Sequence, residues 1–283
     1  MWIFTRSGGE WLQQGSKLTA SDEAGAANFG TTVALSADGN TLAIGGFNDN
    51  VGKGAVWIFT RTNGEWTQQG NKLVGTGYDA SGGSVSQGWS VALSADGNTM
   101  AEGGRQDNSN RGAVWIFTRS GGVWLQQGSK LTASDESGAG EFGVSVALPA
   151  DGNTLAVGGP HDGDLTNNGA VWIFTRTNGE WTQQGNKLVG TGAIGAANQG
   201  NSVALSADGN TLAVGGSTDA SGVGAVWVFV RRAGLWTQMK KLVGSNSNGS
   251  PNQGFSLALS ADGNTLAEGG ENDGTTGAVW VFV

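Results

Sequence analysis

The segment Val33-Ala-Leu-Ser-Ala-Asp38-Gly39-Asn-Thr-Leu-Ala43 returns almost letter for letter around Asp96, Asp151, Asp208 and Asp262, at intervals of 54 to 58 residues. A second marker, Gly-Ala-Val-Trp-(Ile/Val)-Phe, places Trp57, Trp115, Trp172, Trp227 and Trp280 in step with it. A period of this size signals an array of one supersecondary unit. A unit of about 55 residues cannot bury a core alone and needs its neighbours. The 283 residues are therefore read as a single domain.

Within one unit, Thr32-Val-Ala-Leu-Ser36 reads as a first strand, A, and Asp38-Gly39 as a hairpin turn, because glycine takes positive φ without strain. Thr41-Leu-Ala-Ile44 is strand B, stopped by Gly45-Gly46, and after a loop from Phe47 to Lys53 comes strand C, Ala55-Val-Trp-Ile-Phe-Thr60. Asn63-Gly64 turns the chain into strand D, Trp66 to Leu73. Four short antiparallel strands per unit predict an all-β fold, a β-propeller of five four-stranded blades. The units run over about 27–73, 85–131, 142–188, 199–242 and 254–283. The N-terminus supplies a C strand (Trp2 to Arg6) and a D strand (Trp11 to Leu18), while the C-terminus supplies A, B and C. The expectation is closure by the N-terminal strand, with residues 1–18 completing the last blade and removing a sheet edge. Trp2–Phe4 and Trp280–Phe282 then compete for one position. A closed monomer is favoured, and a strand-swapped oligomer is the alternative.

Phe29-Gly30 and Phe142-Gly143 before strand A, with Gly158-Gly159-Pro160 after strand B, resemble FG-GAP repeats, the blades of integrin-α-like propellers. Gln87, Gln199 and Gln253 stand where the other units have Phe. The resemblance implies a binding or adhesion role and an extracellular or cell-surface location; Met1 leads straight into repeat sequence, with no signal peptide in this chain. It also implies a calcium loop, Asp-x-Asp-x-Asp-Gly-x-x-Asp, between strands A and B. Here that loop is reduced to Ser36-Ala-Asp38-Gly-Asn-Thr, a hairpin too tight to wrap a cation. No cofactor is expected there.

The A–B and C–D turns are short and uniform, whereas the B–C and D–A loops vary, so the face carrying the latter is the expected binding face. Each B–C loop keeps one Asp (Asp49, Asp107, Asp162, Asp219, Asp273). The five could hold cations or sugar hydroxyls, or each could cap its own loop's backbone in an Asx-turn. Asp162 with Asp164 is the best candidate for a metal such as Ca2+. Glu102 and Glu268 replace Ile44, Val157 and Val214 at an apolar strand-B position; buried carboxyls there would mark a site by raised pKa, and a strand-end position open to water is the alternative. Eleven of twelve tryptophans lie in strand C or D at fixed phase, as inter-blade core would. Trp89, just before strand A, is the exception and a candidate ligand contact. His161 is the sole histidine.

A net charge of −8 with fifteen basic residues leaves no basic footprint for nucleic acid. No apolar run is long enough to span a membrane, and without cysteine there is neither disulfide nor thiolate site. No Ser-His-Asp set, zinc spacing or phosphate-cradling loop is present. The chain is therefore expected to be no enzyme, but a binding module for a protein or glycan. A lectin with repeated inter-blade sites is the first alternative, and a recently amplified or engineered scaffold without a ligand is the second. A glycan-active enzyme would have to use Glu102 and Glu268 as its carboxylate pair.

Overall fold

The computed structural model describes residues 1–163 and 167–283. Strands β1 (Phe4–Ser7) and β2 (Glu10–Gln13) form an N-terminal hairpin. Blade 1 follows with β3 (Thr32–Leu35), β4 (Thr41–Gly46), β5 (Ala55–Thr62) and β6 (Glu65–Gln68). Blade 2 contains β7 (Ser90–Leu93), β8 (Thr99–Gly104), β9 (Ala113–Ser120) and β10 (Val123–Gln126). Blade 3 contains β11 (Ser145–Ala147), β12 (Thr154–Gly159), β13 (Ala170–Thr177) and β14 (Glu180–Gln183). Blade 4 contains β15 (Ser202–Leu205), β16 (Thr211–Gly216), β17 (Ala225–Arg232) and β18 (Leu235–Leu242). The last blade has three strands, β19 (Ser256–Leu259), β20 (Leu266–Gly270) and β21 (Ala278–Phe282). The all-β propeller of five antiparallel blades is as the repeat predicts.

The motif glycines are where successive blades meet. A Cβ on Gly103 would lie 2.0 Å from the Gly143 carbonyl oxygen of the next blade, and one on Gly158 would lie 2.0 Å from that of Gly200. Real Cβ atoms do not approach so closely, so strand B must end in glycine. The serine at the start of strand A crosses the same joint, Ser90 Oγ donating to the Gly143 carbonyl at 2.8 Å and Ser145 Oγ to that of Gly200 at 2.8 Å. Between these polar joints the strand-C tryptophans form the core: Trp57, Trp115, Trp172 and Trp227 are fully buried. Each indole N–H is satisfied, Trp57 by Asp22 and Trp172 by Asp135 at 2.8 Å, the others by backbone carbonyls. The strand-D tryptophans tie blades together. Trp66, Trp124, Trp181 and Trp236 donate to Gln14, Gln69, Gln127 and Gln184 of the preceding unit.

Closure by the N-terminal strand is not seen. β2 pairs with β1 alone, and the last blade keeps three strands. The A–B turns are linked in series, Ala37 N–H to Ala95, Ala95 to Ala150, Ala150 to Ala207 and Ala207 to Ala261, and among the described residues the series ends there. Val33 of β3 is 45% exposed where its counterpart Val91 is 8% exposed, since blade 1 has no full blade before it. The physical reason is local. Gly8-Gly9 closes β1 onto β2 as a tight hairpin, and Gln14 seats the pair on blade 1 through Trp66, Arg61 and the Gly64 carbonyl.

Three B–C loops form a single turn (Asp49–Gly52, Asp107–Asn110, Asp219–Gly222) whose middle residues are left-handed, for example Val51 at φ 59° and ψ 44°. A β-branched side chain is strained in that region, and Val51 is almost wholly exposed, so no packing offsets the strain. Val51→Gly is expected to raise stability by roughly 1 kcal/mol, read as a higher urea midpoint with unchanged slope. A lower midpoint would show the strain argument wrong.

Candidate functional site

The loop aspartates are fasteners. Asp49 accepts the Ala24 N–H at 2.7 Å on one oxygen and the Lys72 ammonium at 2.5 Å on the other, and is fully buried. Asp107 repeats this with the Asp79 N–H and Lys130, Asp162 with the Ser137 N–H and Lys187, and Asp219 with the Ile194 N–H and Lys241. Each carboxylate thus ties its B–C loop to the D–A loop 25 to 28 residues earlier, rather than to its own loop as an Asx-turn would. Asp273 accepts the Asn248 N–H but has no lysine partner. Among the described residues no three His, Cys, Asp or Glu side chains are grouped to hold a metal. The proposed partner of Asp162, Asp164, lies outside the described residues. In the A–B turns Asp38 is held by Ser36 Oγ and by the Asn40 backbone and amide, which keeps its carboxyl below the usual range.

Glu102 and Glu268 are not at water-filled strand ends. Both are buried, neither carboxyl has a hydrogen-bond partner, and they lie in separate sheets opposite Trp115 and Trp280. Burial drives the Glu102 carboxyl well above the ordinary range against the nearby Gly75 N–H, and drives Glu268 to about 7. The two are not brought together as a catalytic pair.

Blades 1, 2 and 3 do assemble one mixed cluster on the loop face. Phe47, directly after the Gly-Gly of β4, packs on Trp89 with ring centroids 4.9 Å apart. The guanidinium of Arg105, directly after the Gly-Gly of β8, lies over the Trp89 ring at 3.8 Å from its centroid. Arg105 Nη1 donates to Glu141 Oε2 at 2.8 Å, and His161 Nδ1 stands 3.4 Å from the same oxygen. Burial raises the Glu141 pKa, but the His161 and Arg105 contacts outweigh it and hold the carboxyl below its usual value. The same contact raises the His161 pKa. Arg105 Nε is buried with no partner. A short distance along the same loop, Glu136 is pushed to about 7 by burial, opposed by the Gly140 N–H and Arg111.

The sequence singles out Trp89 and His161 but not Arg105, Glu141 or Phe47. The available signal was positional. Phe47 and Arg105 follow the strand-B glycines, where blades 4 and 5 carry Ser217 and Glu271. Glu141 takes a left-handed φ of 55° beside Phe142-Gly143, as Asn28, Ser86, Asn198 and Asn252 do at the same place in the other units.

A second recurring feature lies on the rim between D strands. Grooves of about 340, 280 and 270 Å³ are lined by Gln14 to Leu18 with Trp66, by Gln69 to Leu73 with Trp124, and by Gln127 to Leu131 with Trp181.

The FG-GAP repeat family model matches residues 11–59 and 124–174, which run from β2 through β5 and from β10 through β13. Both segments contain the Phe-Gly and Gly-Gly pairs, of which Gly45, Gly143 and Gly158 lie at blade joints. These are FG-GAP repeats. None of the curated proteins matches the sequence. Among solved structures, the chain is similar to a candidate 6-phosphogluconolactonase from Bacteroides uniformis, at 13% identity and a TM-score of 0.63 over 97% of this chain and 71% of that one. It is similar to a periplasmic gluconolactonase from Pseudomonas aeruginosa at 17% identity and a TM-score of 0.57, over 94% and 70%. It spans 50% of TolB from Acinetobacter baumannii, with 88% of this chain covered at 13% identity and a TM-score of 0.49.

At these identities the likeness is one of fold. It corrects one expectation all the same. The absence of familiar catalytic motifs suggested that the chain is no enzyme, yet propellers of this architecture carry lactonase names. A propeller fold gives no ground for excluding catalysis. Among the described residues no helix is long and apolar enough to cross a membrane.

Proposed function

We propose that the protein binds an acidic, sugar-derived ligand on its loop face, at the junction of blades 1, 2 and 3. The observation that carries this reading is the Phe47–Trp89–Arg105–Glu141–His161 cluster, which joins three blades and has no counterpart at Ser217 or Glu271. Arg105 and His161 outnumber the one carboxylate between them. They favour an anion on a chain whose net charge is −8, and Arg105 stacked on Trp89 is held rigid for a planar carboxylate. Glu141 is placed to accept hydroxyls. The lactonase names of two fold neighbours are compatible with a sugar-derived ligand and leave turnover as a question for the same assay. An envelope or extracellular location accords with this reading.

The rim grooves favour a second reading, a lectin with several equivalent weak sites. Stoichiometry separates the two: one ligand per chain at the cluster, three or more at the rim.

The test titrates the protein with gluconate and with gluconolactone by calorimetry, following lactone hydrolysis in parallel. Arg105→Ala is expected to weaken binding at least tenfold, in line with ~1.5–3 kcal/mol for a charged hydrogen bond. Unchanged affinity in Arg105→Ala, or no binding by the wild type, would overturn the assignment.

A further inference from the structure

We propose that the Arg105–Glu141–His161 row is a hydrolytic centre for a cyclic ester of a sugar-derived acid, with His161 as its general base. The inference rests on the ligand reading above and adds a reaction to it.

The row is built entirely within blades 2 and 3. Arg105 Nη1 and His161 Nδ1 approach one oxygen, Glu141 Oε2, at 2.8 and 3.4 Å. A guanidinium and an imidazole on the same oxygen are close neighbours, so one small substrate reaches both. Pro160 departs from the other units, which carry Phe47, Arg105, Ser217 and Glu271 at its place, and its fixed φ directs the chain into His161. The His161 backbone N–H donates to the Gly140 carbonyl at 3.3 Å, and the Glu141 N–H donates to that of Asn110 in blade 2 at 2.9 Å. Asp162, directly after the histidine, is buried and fastened to Lys187. The imidazole is thus held beside the carboxylate by residues that are themselves tied down.

An imidazole that gives its Nδ1–H to a carboxylate is in the tautomer whose Nε2 is the free base. The His161 side chain is 42% exposed, and among the described residues Glu141 is the ring's one hydrogen-bonding partner, which leaves Nε2 for water. The 3.4 Å contact is long, as catalytic contacts often are before a ligand closes the site. Arg105 uses one N–H donor on Glu141, and its Nε is buried with no acceptor. Held over Trp89, the guanidinium is preorganised for negative charge developing on a carbonyl oxygen.

The reaction balances without a cofactor. Water attacks the ester carbonyl carbon and gives its proton to His161 Nε2, while the carbonyl oxygen becomes an oxyanion beside Arg105. Collapse of that intermediate breaks the ring C–O bond, and the departing alkoxide takes the proton back from Nε2. One water is consumed and a hydroxy acid is released, whose carboxylate is the anion that Arg105 favours. In this step Glu141 is a positioning residue, acting through the imidazole it orients.

Contact with Glu141 raises the His161 pKa against burial and the charge of Arg105. Glu136, driven to about 7 by burial, has Arg111, Asp162 and Lys187 as its charged neighbours instead. Catalysis should therefore rise with pH as His161 loses its proton, with a midpoint above the 6.5 of a free imidazole.

The test measures initial rates of gluconolactone hydrolysis above the uncatalysed rate from about pH 5.5 to 8, with gluconate affinity measured on the same samples. His161→Gln is expected to lower kcat at least about a hundredfold while KM moves less than about tenfold. Glu141→Gln should lower kcat and move the midpoint to lower pH, since the contact that raises the imidazole pKa is gone. Should His161→Gln fail to fold, the wild-type profile and its displacement in Glu141→Gln carry the test. Gluconate bound by a wild type that turns over no lactone would overturn the hydrolytic centre and leave the ligand reading standing. Unchanged kcat in folded His161→Gln, or an unmoved midpoint in Glu141→Gln, would also overturn it. Absence of gluconate binding would instead remove the ligand reading and this inference with it.

Discussion

Glu102→Val is expected to stabilise the protein by roughly 1–3 kcal/mol at neutral pH and by less near pH 4. Glu102 is fully buried with both carboxyl oxygens unpartnered, in the strand-B place that Val157 and Val214 fill in blades 3 and 4. Its folded pKa lies well above the ordinary 4.5 because burial penalises the charged form. The sign follows from linkage. Below pH 4.5 the carboxyl is neutral whether the chain is folded or not, and only the smaller cost of burying an unpartnered neutral group remains. Above it the unfolded chain ionises first, so the wild type loses about 1.4 kcal/mol per pH unit until the folded pKa is passed. Urea midpoints from pH 4 to pH 8 should therefore diverge between variant and wild type, the variant pulling ahead as pH rises. Parallel curves would show that Glu102 reaches water or a partner. Glu268, with a pKa of about 7, should show the same divergence between pH 4.5 and 7.

Trp172→Ala should have the opposite sign and a larger size, a loss of about 3–5 kcal/mol, or on the order of 10 °C in Tm for a chain of this length. Its ring is fully buried and meets Phe142 edge-on at 5.4 Å, and its indole N–H is donated to Asp135. Removing it opens a cavity at a blade interface and strips one bond from a carboxylate that also fastens Gln183 and the Lys187 backbone. Trp89→Ala is the control. Trp89 is only partly buried and contacts Phe47 and Arg105, so its loss should leave Tm within a few degrees. Equal losses would remove the distinction between core and site tryptophans, and a stable Trp172→Ala would contradict the assigned core.

The scaffold is legible in the sequence because its determinants are local or strictly periodic. Asp38-Gly39 makes its turn with residues two positions away, and Trp57 recurs at one phase in every blade, so neither needs knowledge of neighbouring blades. The fasteners were half legible. An Asp in each B–C loop and a Lys before each strand-D Leu are both plain in the sequence, but their pairing spans 22 to 25 residues and needs the two loops to fold onto one face. The cluster was least legible, because Glu141 meets Arg105 across 36 residues and two blades, and nothing in the local sequence announces that contact. Closure by the N-terminal strand was misjudged because β1 and β2 are adjacent in the sequence and pair with each other through the Gly8-Gly9 turn.

The most direct test of the account is an NMR titration of the uniformly labelled protein with gluconate, following the tryptophan indole N–H signals and the His161 ring. The account predicts saturable shifts at Trp89 and His161 with one ligand per chain, while Trp66, Trp124 and Trp181 stay in place. Shifts spread evenly over the rim tryptophans, or no shift at Trp89 and His161, would contradict it.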